Sequence, residues 1–386
     1  MLPAILPALR TEFSLSLSRG GLVMAAMYIT CNAVQPLTGH LRAGRRRPLL
    51  LHLGLILGAG ICLLGVLPRG NHAFVLMMLL AVVSGVGIAI VHPESLRGVH
   101  RLKHIQPAIS TAVFMAGGFL GYACGGAVSA YLVARFGFPG LYPLVLTPVI
   151  GIAAVLLSKV RLAVEPGKAL ACPAGQTGPI RHNAGTGAAR GLSFWLIMVI
   201  AMPAAISTTV LSSLLPTALN ELGFKLTFGG FSTTVFGLGG AAGSFAWAHI
   251  ARKKGELKCS IVALFLAVPF LTAYLALMNS AAAIGILLGV GFCTVSAYIL
   301  MITLSRHAVG LTLGQRMGFI VGGTWALAYA VFMALLPFAE HFGSDVVLKF
   351  SPLGYLLSGI LGLVVLLKAR NSAGGRISIQ QSAEET

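Results

Sequence analysis

Apolar runs of about 18 residues or more, long enough to cross the ~30 Å hydrocarbon layer of a bilayer as helices, recur eleven times along this chain. Five come first, at 20–41, 48–68, 73–91, 105–134 and 137–158. Six follow at 192–218, 226–251, 259–278, 281–304, 317–339 and 350–367. The pattern predicts two helical bundles, residues 1–158 and 191–369, with a polar, Gly/Pro-containing linker at 159–190 and a short polar tail at 370–386. The opening residues lack a basic n-region and carry Pro3 and Pro7, so no cleavable signal peptide is expected.

Composition closes off the soluble alternative. Charged residues make up 9% of the chain, hydrophobic residues 57%, and the mean hydropathy is +0.91. A soluble surface needs roughly a quarter of charged residues, whereas lipid replaces water around a membrane protein. The 48 glycines suit helices that approach one another closely in lipid. The six cysteines, Cys31, Cys62, Cys124, Cys172, Cys259 and Cys293, are scattered, form no C-x-x-C pair, and read as small packing residues. An all-α polytopic membrane protein follows.

The basic residues set its orientation. Arg10, Arg19, Arg69, Arg135, Lys225 and Lys349 lie on one set of connections, and the rest of the 27 Lys and Arg lie on the other set, which includes the linker and the C-terminus. That bias places the linker and C-terminus in the cytoplasm. It also explains the net charge of +18 as an anchoring signature, and no DNA-binding motif accompanies it. With eleven spans, Met1 then starts on the outer side. Residues 1–9, apolar and ending at Arg10, read as the end of a helix whose beginning is absent.

The two groups of spans echo each other. Gly39-His-Leu-Arg-Ala-Gly-Arg-Arg-Arg-Pro follows the first span, and Ala248-His-Ile-Ala-Arg-Lys-Lys-Gly follows the seventh. Both resemble the G-x-L-x-D-R-x-G-R-[RK] loop of the major facilitator superfamily, whose two six-helix halves surround a central cavity. Ala43 and Arg252 stand where the loop usually has Asp, and Ala248 replaces the leading Gly in the second of the two turns. A more specific resemblance is carried by Gly85-Val-Gly-Ile-Ala-Ile-Val-His92-Pro93-Glu94-Ser95-Leu-Arg97. This stretch is similar to the G-x-G-x-x-x-F-H-P-E-[SA]-x-R segment of fosmidomycin-resistance-type efflux proteins. Leu6-Pro-Ala-Leu-Arg-Thr-Glu-Phe-Ser, Gln35-Pro36-Leu-Thr-Gly39 and the pair Gly117-Gly118 with Gly121 resemble further parts of that family. The resemblance implies a major-facilitator-type two-bundle fold, supplied here as helices two to twelve, and proton-driven export of small toxic molecules. It also implies a first helix bearing His and Asp, which these residues do not include.

His92 and Glu94 end the third apolar run on its cytoplasmic side, and Pro93 between them is expected to break or kink the helix. They read either as a solvated helix end, with Glu94 paired to Arg97 as a latch, or, with the family match, as gating and coupling residues. Gly39 and Arg46 of the first basic turn join that gating set. Gly117, Gly121 and Gly125 share one face beside Gly118, and read as a close-packing stripe or as a place where the helix bends. Candidate cavity residues are Asn32, Gln35, Ser207, Thr208, Tyr298 and Trp325, with Thr209, Thr294, Ser296 and Thr324 as weaker members.

No Lys, Arg, Asp or Glu falls at mid-depth in any span, so no clear proton carrier or anion-binding group is visible there. No Walker loop, metal-ligand spacing or nucleophilic triad supports an enzyme. The expected protein is a secondary transporter that exports a small drug-like compound by alternating access, without cofactor or metal. Its partners would be that solute, membrane lipids and, by the resemblance, protons, with no nucleic acid. It would act as a monomer in the bacterial cytoplasmic (inner) membrane. A facilitator or importer of a neutral solute, and a truncated, transport-inactive membrane protein, stand as alternatives.

Overall fold

The computed structural model describes residues 1–42, 47–70, 72–99, 102, 105, 107–162 and 192–384, and these are nearly all helical. The first group of helices is α1 (Leu2–Glu12), α2 (Leu17–Arg42), α3 (Leu49–Gly58, drawn out as a 3₁₀ turn to Val66), α4 (Ala73–Val99), α5 (Pro107–Phe136) and α6 (Leu146–Leu157). The second group is α7 (Phe194–Glu221), α8 (Leu226–Lys254), α9 (Glu256–Ala276), α10 (Ile284–Ser305), α11 (Leu313–Met317), α12 (Thr324–Phe342), α13 (Ser344–Lys349) and α14 (Ser351–Glu384). A π-helical stretch, Gly318–Gly323, joins α11 to α12.

Among the described residues, each apolar run predicted from the sequence forms a helix over most of its length. Eight of the described helical runs are long and apolar enough to cross a membrane by themselves. The other three expected spans form as α2, α5 and α8, of 26, 30 and 29 residues, which at ~1.5 Å per residue are long enough to cross. In α2 and α8 glycine and polar residues dilute the aliphatic ones, because these helices carry the seam between the groups. α2 lies along α12, α5 along α8, and α1 against α7. The apolar opening residues form α1, with Ile5, Leu6 and Leu9 buried.

Two boundaries differ from the sequence reading. α4 does not stop at Pro93 but runs on to Val99. A proline removes one intrahelical hydrogen bond, and neighbouring packing can carry the helix past it. The expected polar tail likewise continues α14 as helix to Glu384, since no proline interrupts the chain after Pro352. Most of the expected linker, 163–190, lies outside the described residues.

Glycines set the tightest helix pairs. A methyl on Gly85 would sit 2.5 Å from the Met27 carbonyl oxygen on α2, and one on Gly87 would sit 2.7 Å from that of Gly54 on α3. α4 is thus clamped on two sides by the two glycines that open the His-Pro-Glu-Ser segment. Gly239, Gly243 and Gly291 do the same between α8 and α10, where a methyl would run into backbone of Leu288, Phe292 and Phe236.

Candidate functional site

The clamped helix α4 holds His92, Glu94 and Arg97 in its last two turns. The Arg97 guanidinium donates to Glu94 Oε1 at 2.7 Å, one helical turn away. The ion pair forms as the spacing of the two residues predicts, but this helix end is buried and not solvated. Glu94 is 1% exposed and Arg97 9%. The segment Val160–Leu162, after α6, packs over Gly98 and helps to cover this end of α4. Glu94 Oε2 is buried and has no hydrogen-bond partner among the described residues. His92 is half-buried and meets the Phe114 ring of α5 edge-on, with centroids 5.6 Å apart. Of the first basic turn, Gly39 lies in the last turns of α2, and Arg46 lies outside the described residues.

The glycine stripe of α5, read as a packing face or as a place where the helix bends, meets no neighbour among the described residues. A methyl on Gly117, Gly118, Gly121 or Gly125 would meet nothing within 4 Å. The contact with α8 is made instead from Ala123, Gly126 and Ala130. A methyl on Gly126 would overlap Thr233 Oγ1, and one on Gly230 would press on Ala130 Cβ at 2.5 Å. The Thr234 hydroxyl also donates to the Ala123 carbonyl across this seam. Gly121→Ala is therefore expected to leave the melting temperature of the purified protein unchanged, or to stabilise it by about 0.5–1 kcal/mol through helix propensity. A clear fall in stability would show that this face is packed.

Mid-depth in the seam, Tyr28 of α2 stacks on Tyr329 of α12, with centroids 4.6 Å apart and planes within 9°. Tyr122 of α5 lies beside them and touches α8 at Gly237, yet is 40% exposed. Sequence reasoning missed all three tyrosines. Their signal was available, because Tyr in membrane helices favours the water interface and these sit well inside their spans. Asn32, one turn from Tyr28, turns back on its own helix and donates to the Tyr28 carbonyl at 2.7 Å. Gln35 reaches Cys31 Sγ at 3.8 Å.

Tyr298 and Trp325 come together, edge to face at 5.0 Å, and the Tyr298 hydroxyl donates to the Ile320 carbonyl inside the π-helical stretch. Thr324 donates to the Phe319 carbonyl at 3.2 Å in the same stretch. Ser207 and Thr208, by contrast, face into the second helix group. Ser207 packs on Gly354 of α14, and Thr208 Oγ1 bonds the Ala204 carbonyl and the Tyr355 hydroxyl, both at 2.9 Å.

At the end of the molecule remote from the basic turns, charged contacts join the groups. Arg10 of α1 donates to Glu221 of α7 at 3.3 Å, and Glu221 also accepts from the backbone and hydroxyl of Ser344. The Ser18 backbone N–H of α2 donates to Glu340 of α12 at 3.0 Å, and the Ser18 hydroxyl donates to the same oxygen. Nearby, Gly21 sits against the Leu336 side chain. Arg69 pairs with Glu12 within the first group.

The sequence pattern of the Major Facilitator Superfamily matches residues 1–333. Over 135 residues the chain is 27% identical to the Fosmidomycin resistance protein of Escherichia coli (strain K12), a match that covers 35% of this chain and 32% of that protein. Over 138 residues it is 25% identical to the uncharacterized MFS-type transporter YfnC of Bacillus subtilis (strain 168), covering 36% of this chain and 33% of that one. The chain thus aligns with about a third of the length of each relative.

Proposed function

The chain belongs to the Major Facilitator Superfamily, and on that premise we propose that it is a proton-coupled secondary transporter exporting a small drug-like compound by alternating access. The observation that carries this reading is the seam. Tyr28 on Tyr329, Gly126 on Thr233, Arg10 with Glu221 and Ser18 with Glu340 tie the two groups together from mid-depth to the end away from the basic turns. Tyr122, beside the tyrosine stack, is 40% exposed. A seam tied from its middle to one end is what one state of an alternating cycle requires.

In this reading His92, Pro93, Glu94 and Arg97, with Gly39 and Arg46, serve gating and coupling. Glu94 supplies a buried carboxylate paired with Arg97, a link that a gating motion can make and break. Asn32, Gln35, Tyr298 and Trp325 contribute to the cavity, and Gly117, Gly118, Gly121 and Gly125 let α5 bend. The protein acts as a monomer in the bacterial cytoplasmic membrane, with linker and C-terminus inside. The similarity to a protein named for fosmidomycin resistance makes that drug the first probe. Cells producing the chain are expected to accumulate severalfold less fosmidomycin than cells without it, and to lose the difference when an uncoupler collapses the proton gradient. Efflux that survives the uncoupler would remove the coupling, and equal accumulation would remove the drug as substrate.

A further inference from the structure

At the end of the molecule where Arg10 meets Glu221, most basic residues have a partner. Glu221 answers Arg10, Glu12 answers Arg69, Asp345 answers Lys349, and Arg19 lies over the Phe74 ring. Arg135 and Lys225 differ. Both are exposed, and neither belongs to an ion pair among the described residues. The packing of α5 on α8 brings the two to one level. Gly237 meets Ala123 and Gly230 meets Ala130, so the helices run antiparallel in a fixed register. Five residues beyond Ala130 and five before Gly230, that register reaches Arg135 and Lys225.

Beside these cations the seam is apolar and concave. One residue on from a contact position turns a helix by about 100°, and on antiparallel helices this turn leads out of the seam toward the same side. Tyr131, next to Ala130, and Phe231, next to Gly230, therefore flank the seam on one side, and both are exposed. Arg135 lies one turn beyond Tyr131 on that face. Phe231 lines a cleft of about 460 Å³ together with Phe224, Lys225, Thr227 and Phe228. Phe224 stacks on Phe228 with centroids 4.7 Å apart, which gives the cleft an aromatic wall. Leu238 and Phe245, at seven-residue steps from Phe231, continue the exposed apolar face along α8.

We propose that this side of the α5–α8 seam binds one anionic phospholipid of the surrounding membrane. Its phosphate sits between Arg135 and Lys225, with the Thr227 hydroxyl as a further donor, and its acyl chains pack on Phe228 and Phe231 and run along Leu238 and Phe245. Two features select this occupant. The pair of cations without carboxylate partners calls for a negative group, which a neutral lipid lacks. The apolar stripe from Phe231 to Phe245 extends about 21 Å, more than the ~15 Å depth of one leaflet, and calls for a chain that a soluble anion lacks. Arg135 belongs to the first helix group and Lys225 to the second. The phosphate thus also offsets the repulsion of two like charges held level across the seam. The site depends on the membrane-embedded fold, and on neither the substrate nor the coupling proposed above.

Fluorescence quenching by brominated lipids tests this. Phe231→Trp is made in the full chain and reconstituted in phosphatidylcholine vesicles, and the signal of the parent's Trp195, Trp247 and Trp325 is subtracted. Brominated phosphatidylglycerol is expected to quench the added tryptophan at least twofold more than brominated phosphatidylcholine at the same minor fraction. Leu357→Trp, on the exposed face of α14, is expected to show no such preference. Adding Arg135→Gln/Lys225→Gln to Phe231→Trp should abolish the preference, and adding Arg135→Lys/Lys225→Arg should keep it. Both cations are exposed, so the melting temperature of the glutamine variant should match that of its parent. Equal quenching of Phe231→Trp by the two lipids overturns the proposal and needs no second substitution. So does a preference that survives loss of both cations, or one of equal size at Leu357→Trp. Loss of the preference on adding inorganic phosphate would assign the site to a soluble anion and remove the lipid as occupant. The quenching reads no transport, so failure of the efflux experiment and failure of this one are distinguishable.

Discussion

Gly87→Val is expected to abolish the yield of folded protein. A methyl there already lies 2.7 Å from the Gly54 carbonyl oxygen and from the Leu57 carbonyl carbon. These are backbone atoms, which cannot swing aside as a side chain end can. Forcing extra carbons into packed interiors typically costs about 1–3 kcal/mol, and more where nothing can shift. Whole domains are stable by only about 5–15 kcal/mol. Valine adds two further carbons beyond the methyl, so α3 and α4 must separate. On the other side of α4 a methyl on Gly85 would lie 2.5 Å from the Met27 carbonyl oxygen, so the helix has no direction in which to retreat. The check is the amount of monodisperse protein recovered in detergent and its melting temperature, with Gly121→Ala as the tolerated control. Normal recovery of the valine variant would mean that the two helices do not approach this closely.

The second large effect is expected at Arg97. Arg97→Met removes the partner of a carboxylate that is 1% exposed. Breaking a buried pair from one side typically costs about 3–5 kcal/mol, because an uncompensated charge remains. Removing both charges, in Glu94→Gln/Arg97→Met, should recover much of that loss, since the two charges were desolvated together. Thermal unfolding of the single and double variants measures the difference. If the single variant is as stable as the double one, Glu94 is not held as a charged partner of Arg97.

The helices were legible in the sequence because lipid imposes long apolar runs, but their ends were not. The apolar run of α4 stops near Val91 while the helix continues to Val99, since hydropathy marks contact with lipid and not backbone hydrogen bonding. The Glu94–Arg97 pair could be read from its spacing. Its burial could not, because the covering residues Val160 and Leu162 are distant in the chain. The stripe Gly117–Gly121–Gly125 defined a face correctly without saying what that face meets. The contact residue, Gly126, is one position on and thus about 100° around the helix. Thr208 and Thr209 show the same limit most sharply. They are adjacent and identical in type, yet one is bonded inside its helix group and the other has no partner among the described residues. The tyrosine stack joins residues from opposite ends of the chain, a pairing that one sequence cannot reveal.

The two main seams differ in what they touch with. Between α5 and α8, backbone lies against backbone and small side chains, at Gly126, Gly230 and Gly237. Between α2 and α12 the contact is made by larger side chains, Tyr28 on Tyr329 and Leu336 over Gly21. Side chain contacts can be rebuilt by changing both partners, whereas a backbone contact admits almost no other residue. The α5–α8 seam is therefore where mutational drift is least tolerated, and α2 with α12 is where new chemistry can be acquired while the assembly still closes.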